Sequence, residues 1–159
     1  AELQTKVNEL YQAVRPDAPR IGLSYARKHR KADESFDQFW ERYQDTLNSE
    51  LNMKRTLFGA HLDDITITLD GRSTRSFASR GQQKLVLVLL KLAQVSVLQT
   101  HAPDSGLLLI LDDLITDFDE TVLAYVLQLL NEFSCAVLAT CPLENKVQLS
   151  DSAQIISLK

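Results

Sequence analysis

Residues 107–119 have the sequence LLLILDDLITDFD, in which five apolar residues are followed by two adjacent acids. A continuous apolar run of this kind is typical of a strand inside a parallel sheet, which other elements cover on both faces. Asp112 and Asp113 would then lie at the carboxyl end of the strand, which is the edge where open α/β folds bind ligands. This stretch therefore predicts an α/β fold with a functional site at one edge of its sheet.

The residues that follow predict a second parallel strand. Asp119 is a suitable N-cap for a helix that ends near Glu132, and the apolar residues 135–139 predict the next strand. Two parallel strands joined through a helix form a right-handed crossover. Ile155 and Ile156 predict one further short strand.

A buried helix is predicted before this unit. Residues 82–99 are apolar on nearly all sides, with a narrow polar stripe that includes Lys84. Ser79 and Gly81 stand at the start of the helix, where free N–H groups and the helix dipole favour an anion. The same residues also fit an ordinary serine N-cap with a turn glycine, and this alternative stays open.

A β-hairpin is predicted upstream of that helix. Residues 65–69 alternate between apolar and polar side chains, and Asp70-Gly71 favours the positive φ angles of a tight turn. The return strand is expected over residues 74–77. The remaining elements predicted from periodicity are a helix over residues 2–14, a short strand over 21–25 and an amphipathic helix over 35–53.

The composition is that of one globular domain. The chain has 159 residues, of which 45% are hydrophobic and 24% charged. Its 17 basic and 21 acidic residues give a net charge of −4, so any contact with nucleic acid must be local. The apolar run over residues 85–98 is too short and too polar to span a bilayer, and no membrane segment is expected. Cys135 and Cys141 have the spacing of neither a disulfide framework nor a metal site, so a cytoplasmic location is expected.

The acid pair has a chemical interpretation. Asp112 offers the oxygen ligands that Mg²⁺ prefers, and Asp113 is suited to orient or deprotonate a water that attacks a terminal phosphate. Two solvated acids at a strand end fit the dipeptide equally well. The neighbouring motifs favour the chemical interpretation.

Two of those motifs resemble motifs of ABC-class ATPases, in the same order. Residues 78–82, ASRGQ, resemble the signature loop, and residues 112–119, DDLITDFD, resemble a Walker B motif that runs into a D-loop. Within that superfamily, residues 56–64, TLFGAHLDD, and residues 77–84, FASRGQQK, resemble the RecF family. An aspartate at position 113, where most ABC ATPases have glutamate, is a further similarity to that family.

The resemblance is dense from about residue 56 to residue 142, and the chain departs from the family pattern within it. Ala60 and Leu62 stand where the RecF family usually has proline and arginine. The switch position, which is histidine in most ABC ATPases, is occupied by Thr140-Cys141-Pro142. RecF-like proteins also tend to lack that histidine, so the residue that senses the γ-phosphate is not assigned.

The resemblance implies a fold, a ligand and partners. Residues 55–159 would form the C-terminal part of an ABC-type ATPase domain, and residues 1–54 the end of an arm-like second lobe. ATP would be held between two subunits of a homodimer, with Mg²⁺ on Asp112. The family acts on gapped or single-strand/duplex junction DNA with RecO and RecR, helps to load RecA, and belongs to recombinational repair, replication restart and the SOS response.

The resemblance also implies roles for four residues around that nucleotide. Ser79 and Gly81 would contact the γ-phosphate held by the partner subunit, with Gln82 supporting the loop. Asp119 would lie at the dimer seam and couple the two sites.

The glycine-rich loop that cradles phosphates in such ATPases is absent from the sequence. None of the five glycines is followed by lysine, although a P-loop requires Gly-Lys-Ser/Thr. The chain alone is therefore predicted neither to bind ATP tightly nor to hydrolyse it.

Two rival interpretations remain. The corresponding half of an SMC- or Rad50-like protein would need a long heptad coiled coil, which Pro16, Pro19 and Gly22 interrupt. A non-catalytic interaction module with an ABC-like shell would tolerate changes at Asp112 or Asp113.

Three smaller patterns each have two interpretations. The basic residues 27–31 fit a contact with a phosphate backbone or, as charge runs favour, a solvated loop. The stripe of Phe36, Trp40 and Tyr43 fits base stacking or, as helical spacing favours, a core face. His61 beside two acids fits a metal site or, with so few ligands, a hydrogen-bonded turn.

Overall fold

The structure is a computed structural model that describes residues 1–28, 34–57, 59–103, 106–114 and 116–142, together with Gln154 and Ile156. The helices and strands are α1 (Glu2–Val14), β1 (Ile21–Ala26), α2 (Phe36–Met53), β2 (Asp64–Leu69), β3 (Arg72–Ser73), α3 (Thr74–Phe77), α4 (Arg80–His101), β4 (Leu108–Leu111), α5 (Glu120–Glu132) and β5 (Ala136–Ala139). A short 3₁₀ turn (Ala60–Leu62) precedes β2. The α/β class is confirmed.

Three strands form an antiparallel sheet in the order β1-β2-β3. Ile21 pairs with Leu69 and Ala26 with Asp64, so β1 is hydrogen-bonded along its whole length to β2. The Asn8 side chain of α1 joins the helix to this sheet, because its Oδ1 accepts from the Ile21 N–H and its Nδ2 donates to the Ile21 carbonyl, both at 2.8 Å. A domain boundary near residue 54 stays a prediction.

The hairpin turn is confirmed, but the return strand is not. Asp70 and Gly71 have φ angles of 47° and 77°, as the predicted turn requires. The strand over residues 74–77 is wrong, because β3 ends at Ser73 and those residues form the helical turn α3. The buried Thr74 hydroxyl donates to the Ile67 carbonyl at 3.1 Å, and a side chain thereby replaces the next rung of the ladder.

The core lies around α4, which begins two residues earlier and ends two residues later than predicted. Its buried face packs against α1 and β4 in a core to which α5 also contributes, and the largest fully buried side chains there are Tyr11, Ile21, Leu89, Leu92, Val7, Val86 and Val126. The expectation that the apolar run over residues 85–98 is too short and too polar for a bilayer is wrong by length and composition, because α4 as a whole is apolar enough to cross a membrane. Its packing is that of the central helix of a core.

The parallel unit is confirmed, with β4 and β5 paired from Leu108–Ala136 to Leu111–Ala139 and α5 between them. The expectation that β4 is buried on both faces is wrong. Leu109 and Leu111 are buried, whereas Leu108 and Ile110 are 59% and 63% exposed. Consecutive residues of a strand point to opposite faces, and the described residues cover only one of them. Ile155 of the predicted last strand lies outside the described residues.

The helix α2 is confirmed, but the expectation that its aromatic stripe is a core face is wrong. Phe36 and Trp40 are 73% and 46% exposed, and the buried residue of the helix is Glu50. The rings stack along the helix instead, with Phe36 and Trp40 centroids 6.3 Å apart. The sequence pattern defines an apolar face, while burial requires a partner element.

Candidate functional site

The acid pair lies at the carboxyl end of β4, as predicted, and is exposed. Thr140, the first residue after the neighbouring strand β5, holds both residues of the pair. Its hydroxyl donates to Asp112 Oδ1 and accepts from the Asp113 N–H at 2.8 Å. Its backbone also bonds to both sides of the pair, with N–H to the Leu111 carbonyl at 2.9 Å and carbonyl to the Leu114 N–H at 3.0 Å. The two strand ends are thereby fixed to each other.

Asp113 is held by a second set of contacts, which come from Thr116 and from Lys84 of α4. Its φ angle of 51° lies in the left-handed region, so the chain turns sharply directly after Asp112. Thr116 donates its hydroxyl hydrogen to Asp113 Oδ2. Lys84 Nζ lies 2.6 Å from the Thr116 carbonyl, 2.8 Å from its hydroxyl and 3.5 Å from Asp113 Oδ2.

These neighbours affect the protonation of the carboxylate. The Thr116 hydroxyl and, after it, the positive charge of Lys84 lower the pKa of Asp113 below its usual value. An aspartate with its ordinary pKa is already ionised at neutral pH, and the lowered pKa makes protonation of Asp113 still less favourable. Asp113 is therefore available as a negative charge and a hydrogen-bond acceptor.

The predicted signature loop forms the start of α4. Ser79 is the N-cap, and its Oγ accepts from the Gln82 N–H at 3.2 Å while Gln82 Oε1 accepts from the Ser79 N–H at 2.9 Å. This reciprocal pair satisfies two N–H groups at the helix start. Gly81 has a packing role besides: a Cβ there would lie 2.5 Å from the Asp117 carbonyl oxygen.

The segment that resembles a D-loop therefore packs against the start of α4 at two points. Asp117 lies against Gly81, and Thr116 is bound by Lys84. Asp119 ends the segment as the N-cap of α5, where its Oδ1 accepts from the Val122 N–H at 2.8 Å. Of the predicted site residues, Asp113 and Gly81 are brought together through these contacts.

Sequence reasoning gave no site role to Lys84 and left Thr140 unassigned. Lys84 was one polar residue in the stripe of an apolar helix, and the available signals were its position one turn after Gly81 and its place in the family-like stretch over residues 77–84. Thr140 follows a strand in the same way as the acid pair. Contacts that join residues 28 and 32 positions apart are not visible in local patterns.

The structure also places the residues around His61 and the first residues of the basic cluster. The Leu62 N–H donates to the Gly59 carbonyl and the Asp63 N–H to the Ala60 carbonyl, both at 3.1 Å, which is the geometry of a hydrogen-bonded turn. The Asp63 carboxylate accepts from the Tyr25 hydroxyl and, at 2.9 Å, from the Lys28 N–H, and these bonds join distant parts of the chain. Among the described residues, no group of three His, Cys, Asp or Glu side chains is arranged to hold a metal. Arg27 and Lys28 are exposed, and the other residues of the basic cluster, 29–31, lie outside the described residues.

The fold, in which α4 packs beside a parallel β-α-β unit, is that of the C-terminal part of RecF. The chain is similar to two solved structures of the recombination mediator protein RecF in the RecFOR pathway. With the structure described as RecF-ATP it shares 19% identity and a TM-score of 0.61, covering 91% of this chain and 39% of that one. With the structure described as RecF-ATPrS it shares 17% identity and a TM-score of 0.60, covering 89% and 38%.

Curated relatives give the same family. The chain is 34% identical over 132 residues to the DNA replication and repair protein RecF of Moorella thermoacetica. The matched region covers 77% of this chain and 35% of that protein. It is 22% identical over 156 residues to RecF of Clostridium novyi, which covers 98% of this chain and 43% of that protein. No family model matches the chain. The chain is a relative of RecF that spans less than half the length of these proteins, and its fold is that of their C-terminal part.

Proposed function

We propose that the chain supplies the Walker B, D-loop and signature parts of an ATP-dependent DNA-repair protein of the RecF type. The observation that carries the proposal is the joining of an ionised acid, Asp113, to the start of α4 through Lys84 and Thr116. An ordinary strand end and an ordinary helix cap have no need of this network.

The acid pair is suited to the metal side of a nucleotide site. Asp112 presents a carboxylate at the edge of the sheet, and Mg²⁺ is commonly bound by one or two carboxylates together with waters and substrate phosphates. Such an ion, when bound, neutralises charge on the phosphates. Asp113 is suited to orient or deprotonate the attacking water, and its lowered pKa favours the orienting role because it makes the carboxylate a weaker base.

The start of α4 is suited to the phosphate side of a second site. Its exposed Ser79 and its helix N-terminus present N–H groups and a hydroxyl to an anion. In a homodimer, this loop would face the γ-phosphate of the nucleotide that the partner subunit holds, with Gln82 fixing Ser79 and with Asp119 near the seam.

The parallel sheet has an exposed apolar face that a neighbouring element would bury. Among the described residues the parallel sheet has two strands, and Leu108, Ile110 and Leu138 form an exposed apolar face on it, opposite the face that packs on the core. A P-loop-bearing region that adds strands to this sheet would bury that face. It would also supply the phosphate cradle that the sequence lacks.

The cellular role follows from the relatives. Proteins named for DNA replication and repair, and a recombination mediator in the RecFOR pathway, have this fold. We propose that ATP-driven dimerisation on gapped or junction DNA, together with RecO and RecR, helps RecA loading in the cytoplasm during the SOS response. The two longest helices before α4, α1 and α2, have 13 and 18 residues and are separated by β1, which does not favour an SMC-like coiled-coil arm.

The first experiment is calorimetric titration of Mg-ATP into the chain alone and into a reconstituted ATPase, which we define as this chain joined to a P-loop-bearing N-terminal RecF region. We expect no binding to the chain alone, and binding with turnover by the reconstituted ATPase. The matched variant Asp113→Asn keeps the shape of the side chain and should retain ATP binding while losing turnover.

Two results would contradict the proposal. Tight binding by the chain alone would mean that it contains a nucleotide site of its own. Normal turnover by the Asp113→Asn variant would remove Asp113 from the catalytic role proposed for it.

A further inference from the structure

We propose that Lys84 is a positioning residue that sets the orientation of Asp113 in its own chain and links it to the signature loop. This inference rests on the proposed function, because Asp113 and the signature loop serve different nucleotides of the dimer. Lys84 would therefore connect the two ATP sites within each subunit.

The contacts of Lys84 match its chemistry. A lysine ammonium has three N–H donors, and Nζ has three oxygen atoms within 3.5 Å, which are the Thr116 carbonyl, the Thr116 hydroxyl and Asp113 Oδ2. The Lys84 side chain is only 19% exposed, and its ammonium also lies 5.6 Å from the centre of the Phe118 ring. A partly buried charge needs such partners, so the side chain is held in one position.

The network is directional. Lys84 donates to the Thr116 hydroxyl, which then donates its own hydrogen to Asp113 Oδ2. Removing the ammonium frees that hydroxyl to rotate away from the carboxylate. The effect of losing Lys84 is therefore expected at Asp113.

A second contact makes the start of α4 and the D-loop segment move together. Gly81 lies so close to the Asp117 carbonyl that a methyl group would not fit, and Gly81 and Lys84 are one helical turn apart. Asp113 and Asp117 both have left-handed φ angles, of 51° and 70°, so the chain changes direction at both residues. A shift of the signature loop on a nucleotide would therefore displace this turn and the carboxylate at its beginning.

The test is a steady-state measurement of ATP hydrolysis by the reconstituted ATPase carrying Lys84→Met, Lys84→Arg or Lys91→Met. Methionine keeps most of the length of lysine without its charge. Lys91 lies on the same helix, is exposed and serves as the matched control. The measured quantities are kcat, KM, the Hill coefficient for ATP and ATP-dependent dimerisation by sedimentation.

We expect Lys84→Met to lower kcat about tenfold or more, because the variant loses a charge-assisted hydrogen bond at the reacting group. The KM and the dimerisation should change little, while the Hill coefficient falls toward about 1, the value for independent sites. Lys84→Arg should restore part of kcat, and Lys91→Met should behave as the parent. An unchanged kcat and Hill coefficient for Lys84→Met, or equal losses in both lysine-to-methionine variants, would overturn the inference.

Mixed dimers separate action within a chain from action across the interface. One subunit is silenced with Asp113→Asn, and Lys84→Met is placed either on the active subunit or on the silenced one. We expect the larger loss when Lys84→Met and the intact Asp113 share a chain. A larger or equal loss in the other arrangement would overturn the inference.

Failure of the proposed function gives a different result. If the parent reconstituted ATPase neither dimerises with ATP nor hydrolyses it, the proposed function is wrong, and the role of Lys84 is overturned with it. Turnover by the parent with no effect of Lys84→Met overturns only the inference.

Discussion

The helices α2 and α4 begin in the same way and end up in different environments. Each starts with a serine N-cap whose side chain and a glutamine three residues later bond reciprocally, Ser35 with Gln38 and Ser79 with Gln82. Each also has an apolar face. Yet α4 is the centre of the core, while the apolar face of α2 is exposed. The cap starts a helix in both places, and only the elements around the helix give it a core or a site.

The largest expected effect tests the difference in burial. Leu89 of α4 is fully buried, whereas Leu51 of α2 is 67% exposed. Leu89→Ala should lower the free energy of unfolding by about 2–5 kcal/mol, because it leaves a cavity. Leu51→Ala should change it by less than about 0.5 kcal/mol. Urea unfolding of the chain, followed by circular dichroism, measures both, and similar losses would show that α2 is packed after all.

The next effect tests the second position of each helix. Gly81→Ala places a Cβ against the Asp117 carbonyl, so the D-loop segment must move, at a cost of about 1–3 kcal/mol. The equivalent change on α2 is Asp37→Ala, which removes only a favourable charge near the helix start, worth about 0.3–1 kcal/mol. The same urea unfolding compares them. A Gly81→Ala variant as stable as the parent would mean that the close contact with Asp117 does not exist.

The caps themselves should be equal in stability and different in function. Ser35→Ala and Ser79→Ala should each lower the free energy of unfolding by about 1 kcal/mol, since each leaves helix N–H groups without an acceptor. ATP-dependent dimerisation of the reconstituted ATPase should be weakened by Ser79→Ala alone. An equal loss of dimerisation in both variants would remove Ser79 from the proposed phosphate site.

The smallest effect concerns Tyr11, which is buried in the core, unlike the exposed aromatic side chains of α2. Its ring is 1% exposed, and its hydroxyl has no hydrogen-bond partner among the described residues. Burial raises the pKa of Tyr11 above its ordinary value. The neutral form is thus favoured in the folded chain, so its contribution to stability is full below about pH 10 and is lost as the pH rises through the raised pKa.

Tyr11→Phe removes the unpartnered hydroxyl. It should leave the free energy of unfolding at pH 7 unchanged or raise it by less than about 1 kcal/mol, and it should reduce the loss of stability at alkaline pH. Urea unfolding at pH 7 and above pH 10 measures this, with Tyr125→Phe on an exposed side chain as the control. A loss of more than about 1 kcal/mol at pH 7 would reveal a partner for the hydroxyl.

Many features of the fold could be predicted because neighbouring residues determine them. The turn at Asp70-Gly71 joins the paired residues Leu69 and Arg72, and the cap at Asp119 bonds to Val122, so each feature spans three positions of the sequence. The end of the hairpin could not be predicted in this way. Its outcome depends on a hydroxyl of Thr74 that competes with the strand for the Ile67 carbonyl.

In the candidate site, too, some features are set by short segments of sequence and others by contacts between distant segments. The sequence by itself determined that an acid pair follows an apolar strand and that Ser79 and Gly81 open a helix, since both are properties of short segments. Only the tertiary structure decided that Lys84 and Thr140 hold the acid pair, and that the apolar face of α2 is exposed. Those outcomes depend on which distant segments pack together, and hydrogen bonds and burial act through space rather than along the chain.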